Sequence, residues 1–176
     1  MSNINIQFYN SPYGKLMMGD YEGKLCLCDW FFRNKRKQID NRVKSFLNAE
    51  YKESRTDLLE NTELQLVEYF NGQRKEFDIP LHQTGTNFQK KVWNALQEIP
   101  YGKTETYLGL SLKLENEKAI RAVAAANGAN AISIIVPCHR IIGSDSKPIG
   151  YAGGINTKLK LLKLEGALQG NQLELF

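Results

Sequence analysis

The period of the apolar residues changes once along this chain, from two to about 3.6, and that change limits its architecture more than any other feature. Ile4, Ile6 and Phe8 alternate with polar neighbours, as the residues of a half-buried strand do. Ser11-Pro12-Tyr13-Gly14 reads as a turn through its proline and glycine. Residues 15–18 and 25–32 read as further strands, with Glu22-Gly23 between them. Arg33-Asn34-Lys35-Arg36-Lys37 reads as a solvated basic loop. From Thr56 the spacing turns helical: Leu58, Leu59, Leu64, Leu66, Val67 and Phe70 make an apolar face, and Asn71-Gly72 ends it. Strands followed by a helix predict a small α/β domain over residues 1–80.

A boundary falls around residues 81–85, and beyond it the pattern is mostly helical. Thr86 or Asn87 caps a helix carrying Phe88, Val92, Trp93 and Leu96, and Ile99-Pro100-Tyr101-Gly102 breaks it. Residues 104–112 and 117–126 read as two short helices joined by Lys113-Leu114-Glu115-Asn116, an arrangement similar to a helix-turn-helix, with Asn116 as N-cap of the second. Behind Arg121 the second helix is built from small residues, Ala122-Val123-Ala124-Ala125-Ala126. They suit either packing on the core or close approach to a partner surface. Ala131-Ile132-Ser133-Ile134-Ile135 reads as a short buried strand that Pro137 ends. The glycine-dense residues 149–154 permit unusual backbone angles, and a last helix over 156–165 supplies Leu159, Leu162 and Leu164 to the core. The helical domain thus spans residues 86–168, and residues 169–176 read as a flexible tail.

Val136-Pro137-Cys138-His139-Arg140 sets a thiol beside an imidazole at the end of the apolar run. A free thiol has a pKa near about 8.5, so a neighbouring base or cation is needed to make it reactive at neutral pH. An isolated pair is more often a buried, inert cysteine. The charge adds direction. Residues 1–85 hold 12 basic and 12 acidic side chains, while residues 86–176 hold 11 and 7, so the net +4 lies in the half with Cys138. A positive surface attracts polyanions. The three cysteines argue against a disulfide framework and for a reducing, cytoplasmic compartment. The N-terminal residues lack the pattern of a signal peptide, and no stretch approaches the about 18 apolar residues of a membrane span.

Phe88-Gln89, Val92-Trp93, Ala95-Leu96, Ile99-Pro100-Tyr101-Gly102, Tyr107, Arg121-Ala122-Val123, Asn130, Pro137-Cys138-His139-Arg140, Gly150-Tyr151, Gly153-Gly154 and Glu165-Gly166 follow in order. Their spacing resembles that of the O6-alkylguanine-DNA alkyltransferases, single-turnover DNA repair proteins. The likeness is strong over about residues 86–168 and extends weakly to Ser11-Pro12-Tyr13-Gly14-Lys15-Leu16. It implies direct reversal of O6-alkylguanine, with O4-alkylthymine as a second substrate. Cys138 would be the acceptor, His139 would take its proton through a water, and Glu165 would orient the imidazole. Tyr107 would donate a proton toward N3 of the departing guanine, and Asn130 would brace the turn that holds the cysteine. The resemblance assigns Arg121, Ala122, Ala125 and Arg140 to DNA binding, with Arg121 filling the space of the extruded base. Tyr151, Ala152, Gly153 and Ile141 would line the substrate pocket. The implied partner is duplex DNA bound through its minor groove by a monomer, without membrane, metal or organic cofactor.

The chain departs from the family in places. Ala131 replaces a usual proline after Asn130, Ala152 stands where some members have serine, and Asn127-Gly128 replace larger residues found in some relatives. Some members bind zinc in the first domain. Here Tyr21 occupies one such place and only His82 matches, so no zinc is expected, and Cys26 and Cys28 are expected in one core face. A lesion-binding relative without chemistry would lack Cys138. A cysteine hydrolase using Cys138, His139 and Glu165 would ordinarily keep base and nucleophile far apart in sequence. A transcriptional switch driven by a methylated cysteine would need a further DNA-binding domain.

Overall fold

The alternating residues build a four-stranded sheet from β1 (Ser2–Ser11), β2 (Gly14–Tyr21), β3 (Lys24–Trp30) and β4 (Ala49–Glu53), in the order β3-β2-β1-β4. The computed structural model describes residues 1–168, so the tail expected over 169–176 lies outside the described residues. β2 runs antiparallel to both neighbours, whereas β4 joins β1 in parallel. α1 (Arg36–Leu47) lies between β3 and β4 in the sequence, and α2 (Asp57–Phe70) follows β4. Thr56 caps α2, its side chain accepting from the Leu59 N–H at 3.2 Å. The core of this unit gathers Ile4, Met17, Cys26, Leu27, Ile39 and Val43.

The basic run 33–37 is not the solvated loop its composition predicts. Arg33 is buried, and Arg36 opens α1, a helix that the reading of the sequence leaves unassigned. Its buried residues Ile39, Val43 and Leu47 recur every four positions, a signal diluted by the polar residues around them. What holds the arginines is Asp29, whose side chain is fully buried. Arg33 donates to its Oδ2 at 2.8 Å and Arg36 to the same oxygen at 3.1 Å. The Trp30 N–H and the Ser133 hydroxyl donate to Oδ1 at 2.9 and 3.0 Å.

Ser133 belongs to this unit because residues 131–135 pack with residues 1–86 rather than with their sequence neighbours. They do not form a strand. A single bridge, Ile132 to Cys28, is flanked by bonds from the Cys28 N–H to the Ala131 carbonyl (2.9 Å) and from the Ser133 N–H to the Cys28 carbonyl (2.6 Å). Leu81 makes a similar bridge to Leu25, so two short segments cover the open edge of β3.

The second unit takes residues 87–130 and the described residues from 136 onward. It contains α3 (Asn87–Gln97), β5 (Glu105–Thr106), α4 (Tyr107–Lys113), α5 (Ile120–Gly128), β6 (Ile141–Ile142) and α6 (Ile155–Leu164). β5 and β6 pair in parallel, so α4 starts later than the sequence predicts and Thr106 caps it, accepting from the Gly109 N–H at 2.9 Å. Asn116 makes no side-chain cap. A short 3-10 turn, Glu117–Ala119, leads into α5 instead. The Trp93 indole of α3 donates to the Ala126 carbonyl of α5 at 2.8 Å, fixing the end of that helix.

The buried Asp29 cluster yields a stability prediction. Asp29→Ala leaves two arginines without their shared carboxylate and lowers unfolding free energy by about 3–5 kcal/mol in urea denaturation. Arg55→Ala, which removes an exposed partner of Glu60, shifts it by less than about 1 kcal/mol. Equal effects from the two variants would contradict this account.

Candidate active site

A buried carboxylate must find partners, and the Glu165 side chain is fully enclosed. Oε1 lies 2.7 Å from Nε2 of His139. Arg140 donates through Nε to Oε2 at 2.9 Å and through Nη2 to Oε1 at 3.1 Å. The Gly102 N–H reaches Oε2 at 3.4 Å. Ile99-Pro100-Tyr101-Gly102 therefore does more than end α3. The Ile99 carbonyl accepts from Nη1 of Arg140 at 2.6 Å, and the Tyr101 hydroxyl donates to the Leu164 carbonyl at 3.2 Å. Gly102 has φ +76°, and a Cβ there would sit 2.8 Å from the Glu165 carbonyl oxygen, so the close approach demands glycine.

These contacts fix the protonation of the site. Burial works against a charge on Glu165, but hydrogen bonds from His139 and Arg140 and the charge of Arg140 outweigh it. Its carboxyl is held below the usual carboxylate range. Burial pushes His139 below its ordinary value, against the pull of Glu165, so the imidazole is neutral at pH 7. A carboxylate only accepts, so Nε2 carries the proton and Nδ1 keeps its lone pair. Nδ1 is buried and has no hydrogen-bond partner among the described residues. It is the free base of the site.

Cys138 is buried and opens a 3-10 turn with His139 and Arg140. Two γ-turns in succession lead to it. The Ile135 N–H donates to the Ser133 carbonyl (2.9 Å) around Ile134, and the Cys138 N–H donates to the Val136 carbonyl (2.8 Å) around Pro137. Ile134 takes φ +72°, a strained value for a β-branched residue. Asn130 donates to the same Val136 carbonyl at 2.9 Å and so braces the second turn, with Ala131 in place of proline after it.

The reading of the sequence missed Lys158. Its ammonium is fully buried and donates to the carbonyls of Ile141, Ile149 (3.0 Å) and Gly150 (3.3 Å). Burial pushes its pKa down to about 8, and the charge of Cys138 opposes that shift. A lysine at a helical core position, amid Leu159, Leu161 and Leu162, was the available signal. Tyr107, the first residue of α4, is half-buried. Burial raises its phenol and so does the charge of Cys138, while a hydrogen bond from the Asn127 side chain lowers it. Tyr151, Ala152 and Gly153 are half-buried, with the Tyr151 ring edge-on to His139 at 6.4 Å. Ile141 is fully buried, and its carbonyl is one of the acceptors of Lys158.

Arg121, Ala122 and Ala125 share an exposed face of α5, while Val123, Ala126 and Asn127 are buried. The small residues thus serve both the core and an open surface. Arg140 is a correction. Expected at the DNA, it is buried, and its guanidinium is committed to Glu165 and the Ile99 carbonyl. Among the described residues no cluster of three or more His, Cys, Asp or Glu side chains could hold a metal, and no helix is long and apolar enough to cross a membrane. The His82 ring stands edge-on to Tyr21 at 5.7 Å.

Comparison with known proteins gives the same picture from outside the chain. Residues 4–83 match the family described as 6-O-methylguanine DNA methyltransferase, ribonuclease-like domain, and residues 87–167 match its DNA binding domain. The methylated-DNA–protein-cysteine methyltransferase of Methanosarcina acetivorans is 44% identical over 90% of this chain and 96% of its own length. The constitutive protein of that name from Bacillus subtilis is 41% identical over 88% and 91%. A crystal structure of Mycobacterium tuberculosis OGT in complex with DNA superposes with a TM-score of 0.78 at 36% identity, covering 94% of this chain and 93% of that one.

The hold on Glu165 predicts a pH dependence. A carboxyl whose folded pKa is depressed contributes stability above its unfolded value, about 4.3, and that contribution is lost as pH falls below it. Glu165→Gln lowers stability near pH 7 by about 3–5 kcal/mol, because Arg140 is left buried without its partner. The gap between variant and wild type narrows in urea titrations at pH 3.5. A gap of constant size would show that Glu165 carries no special charge in the folded state.

Proposed function

This chain belongs to the methylated-DNA–protein-cysteine methyltransferase family, and we propose that Cys138 is the residue that accepts the alkyl group of O6-alkylguanine in DNA. The observation that carries the assignment is the buried Glu165–His139 pair, which leaves Nδ1 of the imidazole as an unpartnered base on the residue next to the thiol. The logic is that of other chains of nucleophile, base and orienting carboxylate.

The thiol proton passes to Nδ1 of His139 through a water. The sulfur bonds the alkyl carbon while the C–O6 bond breaks and leaves its electron pair on guanine. Tyr107 gives its phenol proton to N3 of the departing base, and the proton held by His139 returns to the phenolate by way of solvent. The products are S-alkylcysteine and neutral guanine. The Lys158 ammonium and the thiolate attract each other, which supports the charged nucleophile. A thioether has no partner in this site that could reverse it, so each molecule repairs one lesion.

The target atom lies within a stacked duplex, so the nucleotide must be turned out to reach Cys138. The exposed face of Arg121, Ala122 and Ala125 supports a reading in which α4 and α5 act as a helix-turn-helix with α5 in the minor groove. Small side chains permit close approach, and Arg121 occupies the vacated stack. The DNA-bound relative and the positive charge of this half of the chain support duplex DNA as the partner.

Cys138→Ala abolishes alkyl uptake while the variant still shifts a duplex carrying O6-methylguanine in gel electrophoresis; retained uptake would remove the assignment. Arg121→Ala slows repair of duplex DNA by at least about tenfold, because unstacking costs a few kcal/mol that an inserted side chain partly offsets. Its reaction with free O6-benzylguanine base is unchanged. Equal losses on both substrates would overturn the role given to Arg121.

A further inference from the structure

Asn127 is polar, buried and placed where α5 ends. Its side chain hydrogen-bonds the phenol of Tyr107, and this bond is not made by the amide oxygen, so the amide N–H is the donor and the phenol oxygen the acceptor. The amide oxygen of Asn127, itself buried, has no partner among the described residues. A half-satisfied amide is a poor way to fill a helix–helix contact, where an apolar side chain would serve the core better. The backbone beside it is rigid, since the Ala126 carbonyl takes the Trp93 indole and the Ala129 N–H caps the end of α5.

We propose that Asn127 is a positioning residue for Tyr107: by donating to the phenol oxygen it keeps the phenol's own proton free for the flipped base. A phenol has one proton to give. With Asn127 as an acceptor, that proton would be tied to the protein. With Asn127 as a donor, the proton turns elsewhere, and the amide N–H remains on the oxygen to stabilise the phenolate once the proton has moved to the guanine ring. The inference rests on the reading of Tyr107 as proton donor given above.

The test is a double-mutant cycle on single-turnover methyl transfer from an O6-methylguanine duplex, using the full chain. Tyr107→Phe slows transfer by about a hundredfold, the usual worth of a positioned acid. Asn127→Asp keeps the shape but exchanges the donor for an acceptor, and slows transfer at least about tenfold. In the Tyr107→Phe background, Asn127→Asp has no further effect. Asn127→Leu, which removes the donor without offering an acceptor, gives a smaller loss and stands in should the aspartate variant not fold. Alkylation of Cys138 by iodoacetamide stays at the wild-type rate in Asn127→Leu, which a general loosening of the site would not allow. If Asn127→Asp reacts as fast as wild type, or loses the same factor with and without the Tyr107 hydroxyl, the proposal falls. If Tyr107→Phe itself transfers at the wild-type rate, the donor role of Tyr107 falls first, and this inference with it.

Discussion

A carboxylate enclosed in protein must be paired, and the pairing of Glu165 decides the geometry around Cys138. Two residues adjacent in sequence, His139 and Arg140, both close on it, which fixes the 3-10 turn that begins with the cysteine. Arg140 neutralises the charge, and the hydrogen bond to His139 selects the tautomer. The break after α3 supplies the remaining contacts through Gly102 and the Ile99 carbonyl. Because both ring nitrogens of His139 are thereby distinguished, a neutral imidazole becomes a base of fixed direction. Chemistry and packing share the same few hydrogen bonds here, so neither can be altered alone.

The segment before the cysteine shows a different economy. Residues 131–135 leave the helical unit, bond to the edge of β3 and meet the buried Asp29 cluster through Ser133. Two γ-turns bring the chain to Cys138, and Ile134 accepts a backbone angle that β-branched residues avoid. Strain of this kind persists only where the surroundings over-determine it. Asp29, with its two arginines, and Asn130, with its bond to the Val136 carbonyl, are the fixed points on either side. A protein that reacts once needs no path for regenerating its nucleophile, and a buried thiol in a rigid turn meets that requirement.

Much of this was readable beforehand because the signals were dense. The alternation of Ile4, Ile6 and Phe8, the helical spacing from Thr56 and the break at Pro100 each map onto an element. Cys138, His139 and Glu165 were found through their order along the chain, and the structure brings the imidazole and the carboxylate together. The failures have physical causes. The apolar run 131–135 is as buried as a strand, but burial does not distinguish a strand from consecutive turns. α1 was hidden because the run of charges at its start looks solvated until Asp29 is placed beside it. Arg140, which the resemblance assigns to DNA binding, misleads for the same reason: sequence shows a charge but not its partner. The roles of Lys158 and Asn127 depend on carbonyls and a phenol that sequence alone does not set beside them.

Every role proposed for this site depends on Cys138 as the alkyl acceptor. Intact-protein mass spectrometry after mixing the chain with a duplex containing O6-methylguanine, followed by peptide mapping, measures it directly. Transfer of one methyl group to a thiol replaces hydrogen by methyl, so a gain of about 14 Da on the peptide bearing Cys138 is the result expected. An unchanged mass, with the duplex bound or not, or a gain mapped to Cys26 or Cys28, would contradict it.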